Sequence, residues 1–413
     1  MNAFDLTALV LTLTALFGYL NYRFIKLPTS IGVMLIALLF SLALIAAQHL
    51  GWDTAAHAER ILKNIDFNTT LMQGMLSFLL FAGALNVNLE DLLRYKWSVG
   101  QFTVFGVLCS TALIGFLSYG LFHWLGAPLP LVYCLLFGAL ISPADPIAVL
   151  GLLKQLRAPK SMEIHIAGEA LFNDGVGVVV FLVLYEIAAG GQQPDWHHIG
   201  GLFLTEAVGG IVLGLVLGWI TYRLLKSIDH YQVEVLLTLA LVTGGYALAN
   251  ALHASGPLAT VAAGILIGNH GRHFAMSDKT REQLDTFWEL VDEILNAVLF
   301  VLLGLEVLLL SHQGNYWLAS AAAIPIVLLA LFISVLIPSW LLRFQGSTTP
   351  HLVRILTWGG LRGGISVALA LSIPAGAERD LILTTTYAVV IFSIFVQGLT
   401  VPCLLRSVLK RTE

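Results

Sequence analysis

Ile141-Ser142-Pro143-Ala144-Asp145-Pro146 lies inside an apolar stretch, 128–152, that is long enough to cross a bilayer. Its two prolines, three residues apart, remove two backbone donors and disfavour helix at the residues before them. A second stretch, 350–373, is interrupted by Gly359-Gly360-Leu361-Arg362-Gly363-Gly364, where four glycines surround an arginine and free the backbone to unwind. Each break carries a charge, Asp145 in the first and Arg362 in the second. Broken backbone at membrane depth survives only where protein or a water-filled cavity satisfies its polar groups. One such break is readily explained as a structural kink. Two breaks, each with a charge, point to a site.

The rest of the chain supports a membrane reading. Of 413 residues, 58% are hydrophobic and 11% charged, with mean hydropathy +0.86. Soluble proteins carry roughly 25% charged residues, so this chain cannot cover a water-facing surface of its own size. Disorder is excluded for the same reason. The net charge of −4 argues against a nucleic-acid partner and leaves the lipid bilayer as the surrounding medium. Cys109, Cys134 and Cys403 sit in apolar runs and read as buried small hydrophobes. No phosphate-binding loop, metalloprotease pair or nucleophile elbow is present, so neither a cofactor nor an enzyme is expected.

Apolar runs of about 20 residues place thirteen candidate spans at 4–22, 28–48, 66–88, 98–121, 128–152, 162–189, 200–224, 232–252, 255–270, 284–310, 316–342, 350–373 and 382–405. The first is a retained helix, since no basic leader precedes it. Residues 51–65 are more polar and read as interfacial. With the N-terminus outside and the C-terminus cytoplasmic, seventeen of the 21 basic residues fall at cytoplasmic ends. Only Arg60, Lys63 and Arg379 fall outside, and Arg362 is in mid-span. That bias obeys the positive-inside rule.

Spans one to six and eight to thirteen then form two units, with span seven as a linker. The breaks fall in the fifth span of each unit, and the units begin on opposite sides of the membrane. This is the pattern of inverted six-helix repeats with paired discontinuous helices, which places a transport site near the midplane.

Ionisable residues inside spans cost at least roughly 2.5–3.5 kcal/mol each on insertion scales, so each needs a reason. Span six contains Gly168-Glu169-Ala170-Leu171-Phe172-Asn173-Asp174-Gly175. Glu169 and Asn173 share a helix face, while Asp174 is rotated about 140° from Glu169. Arg362 needs a permanent counter-charge, and Glu169 is the best candidate. Asp145 and Asp174 then remain as carboxylates that repel one another in a desolvated place, which favours their protonated forms. They can hold a proton or a hard cation such as Na⁺. Competition between the two is the physical core of cation/proton exchange. The alternatives are that Asp145 caps the second half of span five and that Asp174 bonds a neighbouring backbone.

These residues make the chain similar to the monovalent cation/proton antiporter family, in its electroneutral sodium/proton exchanger branch of NhaP/NHE type. The similarity runs through Lys26-Leu27-Pro28 with Ile31-Gly32, Asp145-Pro146, the 168–174 motif, Ser255-Gly256 with Gly264, 300–305, Arg362-Gly363 and Gln397-Gly398-Leu399-Thr400.

The resemblance implies an all-α polytopic protein of thirteen transmembrane helices with an NhaA-like antiporter fold, spans five and twelve crossing at their breaks. It implies one membrane transporter domain over 1–413, with a dimerisation part of spans one to three and eight to ten. A moving core would comprise 98–189 and 316–405, and span seven, 200–224, would link the two. It further implies elevator-like exchange of Na⁺ (or Li⁺) for H⁺ by a homodimer in a prokaryotic inner membrane, with Na⁺ held at Asp145 and Asp174. Asp174 would be the main proton- and ion-binding carboxylate, assisted by Asp145 and the backbone carbonyl of Ala144. Asn173 marks the electroneutral branch, and Glu169 with Arg362 forms a structural ion pair. Ala144 and Ala170 replace hydroxyl residues common in relatives. Selectivity is therefore the open point, with K⁺/H⁺ exchange, and a cation channel, as alternatives.

Other polar residues carry two readings each. Glu293 and Asn296 in span ten are candidates for a funnel that attracts cations; Glu289 reads rather as an acidic helix end in water. Glu306 is an outer-funnel candidate or an interfacial residue. His165 is a pH-sensing candidate or a polar helix start. Trp288, Trp317 and Trp358 read as membrane-interface anchors.

Overall fold

The computed structural model describes residues 3–50, 70–94, 99–144, 153, 160–190, 196–272, 275–309, 316–343 and 352–409. Among these residues every element is a helix, and each of the thirteen sequence segments carries one. Among the described residues, seven helices are long and apolar enough to cross a membrane: Phe4–Ile25, Thr29–Gln48, Gln101–Trp124, Leu204–Leu225, Tyr231–Ala251, Tyr316–Trp340 and Ala377–Val408. The 51–65 segment lies outside the described residues.

Local chemistry explains where the helices stop. The first, Ala3–Leu20, widens into the π turn Asn21–Ile25 and ends at Lys26, which has φ 60° and donates its N–H to Asn21 O at 2.7 Å. Pro28 then opens Thr29–His49. The Asn21 amide seals this link, donating to Leu27 O at 2.9 Å and accepting from Leu27 N at 3.3 Å. Gly32 leaves room for that amide, because a Cβ at 32 would overlap it.

Spans eight and nine, only two residues apart by sequence, are separate helices, Tyr231–Ala251 and Gly256–Leu266. His253 turns the chain with φ 53°. Ser255 restarts it as an N-cap, accepting from Leu258 N at 3.3 Å, with Pro257 in the first turn.

The helices pack in two neighbourhoods. Gly106–Trp124, Leu131–Ile141, Tyr316–Arg343, Gly364–Ser372 and Ala377–Phe392 pack mainly on one another, and Lys160–Gly190 packs against Leu131–Ile141 on one side and against Trp196–Leu225 and Gly256–Leu266 on the other. Thr29–His49, Leu76–Leu85, Trp196–Leu225, Tyr231–Ala251, Gly256–Leu266 and Asp278–Glu306 form the other set. Where the sets meet, Phe172 and Ile365 lie against Leu76, Leu80, Val261 and Ile265.

Small residues allow the tightest contacts. Gly210, Gly214 and Gly218 face Ser255, Ala259 and Ala263; a Cβ on Gly210 would come within 2.6 Å of Ser255 O. Matched small residues four apart let two backbones approach, which is how membrane helices gain packing without a hydrophobic drive between them.

Two sequence expectations need correction. Trp288 is not an interface anchor: it is 1% exposed, and its indole N–H donates to Thr238 Oγ1 at 3.1 Å. Its ring sits 4.7 Å from that of Phe81, so its large apolar area fills a helix junction. Of the cysteines, Cys134 is buried, Cys109 half-buried and Cys403 exposed; all three are free thiols.

Candidate functional site

The first break begins where Leu131–Ile141 ends. Ser142 and Ser110, both buried, bring their hydroxyls together, with Val107 O lying 3.2 Å and 3.1 Å from them. This anchors the helix end to span four just before Pro143. Ala144 follows, half-buried. Asp145 lies outside the described residues.

The second break separates Leu352–Gly359 from Gly364–Ser372. Gly363 is extended, with φ −123° and ψ −158°. Arg362 is 3% exposed; its backbone N–H donates to Ser393 Oγ at 2.9 Å, and its guanidinium donates to Gly360 O at 3.0 Å. The arginine thus helps satisfy a carbonyl of its own break.

Three close contacts gather these parts. A Cβ placed on Gly360 would lie 3.4 Å from Ala144 Cβ, so the two breaks touch. Gly177 faces Pro143 so closely that a Cβ would overlap the proline ring. Gly364 faces the side chain of Leu299 in the same way. Gly177 lies one turn beyond Asn173 and Asp174 on Lys160–Gly190, which brings that acidic stretch to the first break. Asn173 is 5% exposed, and its Oδ1 has no hydrogen-bond partner among the described residues. Asp174 is half-buried.

The expected residues therefore divide. Ala144, Asn173, Asp174 and Arg362 lie around the touching breaks. Glu169 is on the same helix as Asn173, but its side chain lies outside the described residues, and so does its expected pairing with Arg362. The His165 side chain does too. Asn296, one turn before Leu299, is 7% exposed and donates to Asp292 O at 2.9 Å, while Glu293 and Glu289 are exposed. The structure thus separates Asn296 from Glu293 by burial: the amide packs inside and the carboxylate, one turn earlier, is exposed. Glu306 is 5% exposed, which removes the interfacial reading.

Sequence reasoning missed Ser393 and the pairing of Ser110 with Ser142. A signal for the first was present: Ser393, Gln397 and Thr400 form a polar i, i+4, i+7 stripe inside an apolar span. Chemically, the site offers a carboxylate, an amide oxygen and unwound backbone inside packed helices. Those are hard oxygen donors suited to a proton or an alkali cation.

The profile of the family described as "Sodium/hydrogen exchanger, transmembrane" matches residues 11–407. The chain is 52% identical over 413 residues to the Na(+)/H(+) antiporter NhaP of Pseudomonas aeruginosa, covering 98% of this chain and 96% of that one. It is 35% identical to the Na(+)/H(+) antiporter NhaH of Halobacillus dabanensis, over 93% of each. In fold it is similar to the sodium proton antiporter MjNhaP1 of Methanocaldococcus jannaschii, with TM-score 0.75, 20% identity and 97% of each chain covered. These relatives are named as antiporters, not enzymes. With its match running almost from end to end, this multi-pass membrane protein belongs to the sodium/hydrogen exchanger family.

Proposed function

We propose that the protein is a Na⁺/H⁺ antiporter that exchanges one cation for one proton by elevator-like alternating access. The observation that carries this reading is the meeting of the two helix breaks, Ala144 against Gly360, beside the helix that bears Asn173 and Asp174. The names of relatives at 52% and 35% identity support the ions. Asp174 is the carboxylate that alternates between proton and Na⁺, and Asp145 and the Ala144 carbonyl complete the cation's oxygen shell. Glu169 neutralises Arg362. Cation and proton are substrates, and no cofactor takes part.

In this reading all thirteen segments cross the membrane as inverted repeats, and spans five and twelve cross at their breaks. Spans four to six and eleven to thirteen move against a dimerising scaffold of spans one to three and eight to ten. The two packing neighbourhoods and the apolar seam of Phe172 and Ile365 against Leu76, Leu80, Val261 and Ile265 support that division. An apolar seam of this kind can slide without leaving polar groups unpaired. The seventeen basic residues at one set of ends support an inner membrane location with the C-terminus in the cytoplasm.

The test is proton movement in proteoliposomes after addition of Na⁺, Li⁺ or K⁺. Saturable proton efflux with Na⁺ or Li⁺ is expected. A response to K⁺ alone would establish the potassium alternative, and unitary currents would establish a channel.

A further inference from the structure

In an unbroken helix the N–H of Arg362 would donate to the carbonyl of Trp358, four residues earlier. Here that single bond is divided between two side chains of span thirteen. Arg362 N donates to Ser393 Oγ at 2.9 Å, and Trp358 O accepts from Gln397 Nε2 at 3.2 Å. Ser393 is 0% exposed and Gln397 3% exposed. They are the two ends of one π turn, Ser393–Gln397, placed between Ala377–Phe392 and Gly398–Leu409. A third contact follows on the same stripe, where the indole N–H of Trp358 donates to Thr400 Oγ1 at 2.8 Å. Gly398 brings span thirteen within reach of the break: a Cβ there would lie 3.8 Å from Leu361 Cδ1.

We infer that Ser393 and Gln397 are positioning residues: they replace the missing helical bond of span twelve and so hold the break open with Arg362 and Gly360 in place beside Ala144. The inference rests on the antiport reading for its functional consequence. Its structural basis is independent of that reading, because a buried N–H and a half-buried carbonyl at a helix break each need a partner whatever the protein carries. The π turn fits this role. The extra residue in such a turn shifts side chains around the helix, and these turns concentrate at functional sites. Neither side chain touches the cation in this scheme. They act through the backbone of 358–362, and hence through the distance between the two breaks.

Ser393→Ala leaves the Arg362 N–H without its acceptor, and Gln397→Met leaves the Trp358 carbonyl without its donor at nearly constant volume. Each variant is expected to raise the apparent KM for Na⁺ roughly tenfold, the size of effect expected when a buried group loses its partner. Ser393→Thr, which keeps the hydroxyl, is expected to return KM to within about threefold of the unaltered protein by the same reckoning. The second measurement is amide hydrogen exchange in the peptide spanning 358–364, with 131–141 as reference. Faster exchange in 358–364 alone is expected for Ser393→Ala and Gln397→Met. Unchanged KM in both variants overturns the positioning role, whether or not exchange changes. Unchanged exchange in both overturns the divided bond itself. A KM that rises in Ser393→Ala and stays raised in Ser393→Thr also counts against it, because the hydroxyl would then not be the cause. If the unaltered protein shows no Na⁺-driven proton movement, the antiport reading fails, and the exchange measurement decides the clamp on its own.

Discussion

Asp174 and Arg362 have opposite assignments, and substitution distinguishes them. Asp174→Asn keeps the shape and removes the charge that, in the proposed reading, alternates between proton and cation. It is expected to leave folded protein in the membrane and to reduce Na⁺-driven proton efflux to the level of empty liposomes. Exchange near the unaltered rate would remove Asp174 from the mechanism. Arg362 is 3% exposed and bonds Gly360 O, so Arg362→Ala is expected to lower stability as well as activity. Breaking a buried ion pair typically costs about 3–5 kcal/mol. Thermal unfolding in detergent, measured for Arg362→Ala, Glu169→Gln and the double variant, tests the pairing. If the two residues are partners, the double variant loses clearly less than the sum of the singles. Strict additivity would show that Glu169 does not neutralise Arg362. The acidic residues and the arginine were readable from composition, because a charge in an apolar run stands out by its cost. Ser393 was not. A serine in a membrane helix costs little, and nothing near position 393 reports that its acceptor serves an N–H some thirty residues earlier in the chain.

Helix breaks could be read before helix contacts. Pro143 and the glycines of 359–364 act through their own backbone, so the sequence alone locates the interruptions between Ile141 and Ala144 and between Gly359 and Gly364. Trp288 was misread for the opposite reason. Aromatic anchoring is judged from position along a span, whereas its burial depends on Phe81 and Thr238 from two other helices. Glycines show the same limit, since only the fold separates those in contact from those that are not. Gly214 faces the carbonyl of Ala259 so closely that a Cβ cannot be accommodated, while Gly244 has nothing within 4 Å of its Cβ position. Gly214→Ala is therefore expected to force spans seven and nine apart and to destabilise the protein by about 1–3 kcal/mol, the usual cost of overpacking. Gly244→Ala is expected to be neutral or to stabilise by up to about 1 kcal/mol, because alanine is the better helix former. Melting temperatures in one detergent decide the matter. The same sign of shift in both variants would show that the small-residue seam does not govern this packing.

The charge carried by the whole transporter in one cycle follows from how many carboxylates change occupant. In the proposed reading Glu169 is committed to Arg362, and Asp174 is the principal group that exchanges a proton for a cation. Asn173, beside it, cannot take up a proton in the same way. If one proton leaves whenever one Na⁺ enters, the loaded carrier bears the same charge in both half-cycles. Membrane potential acts on any uncompensated charge with about 2.3 kcal/mol per 100 mV, so an electroneutral cycle feels no net drive from voltage. Asp145 decides whether this holds. It serves as a permanent ligand if it stays ionised throughout, but it makes the cycle electrogenic if it also releases a proton each time Na⁺ binds. The measurement is Na⁺ uptake into proteoliposomes at equal pH and equal Na⁺ on both sides, with a potential imposed by K⁺ and valinomycin. No potential-driven accumulation is expected. Accumulation above that of protein-free liposomes would refute the one-for-one cycle, and its loss in Asp145→Asn with exchange retained would identify Asp145 as the second proton carrier.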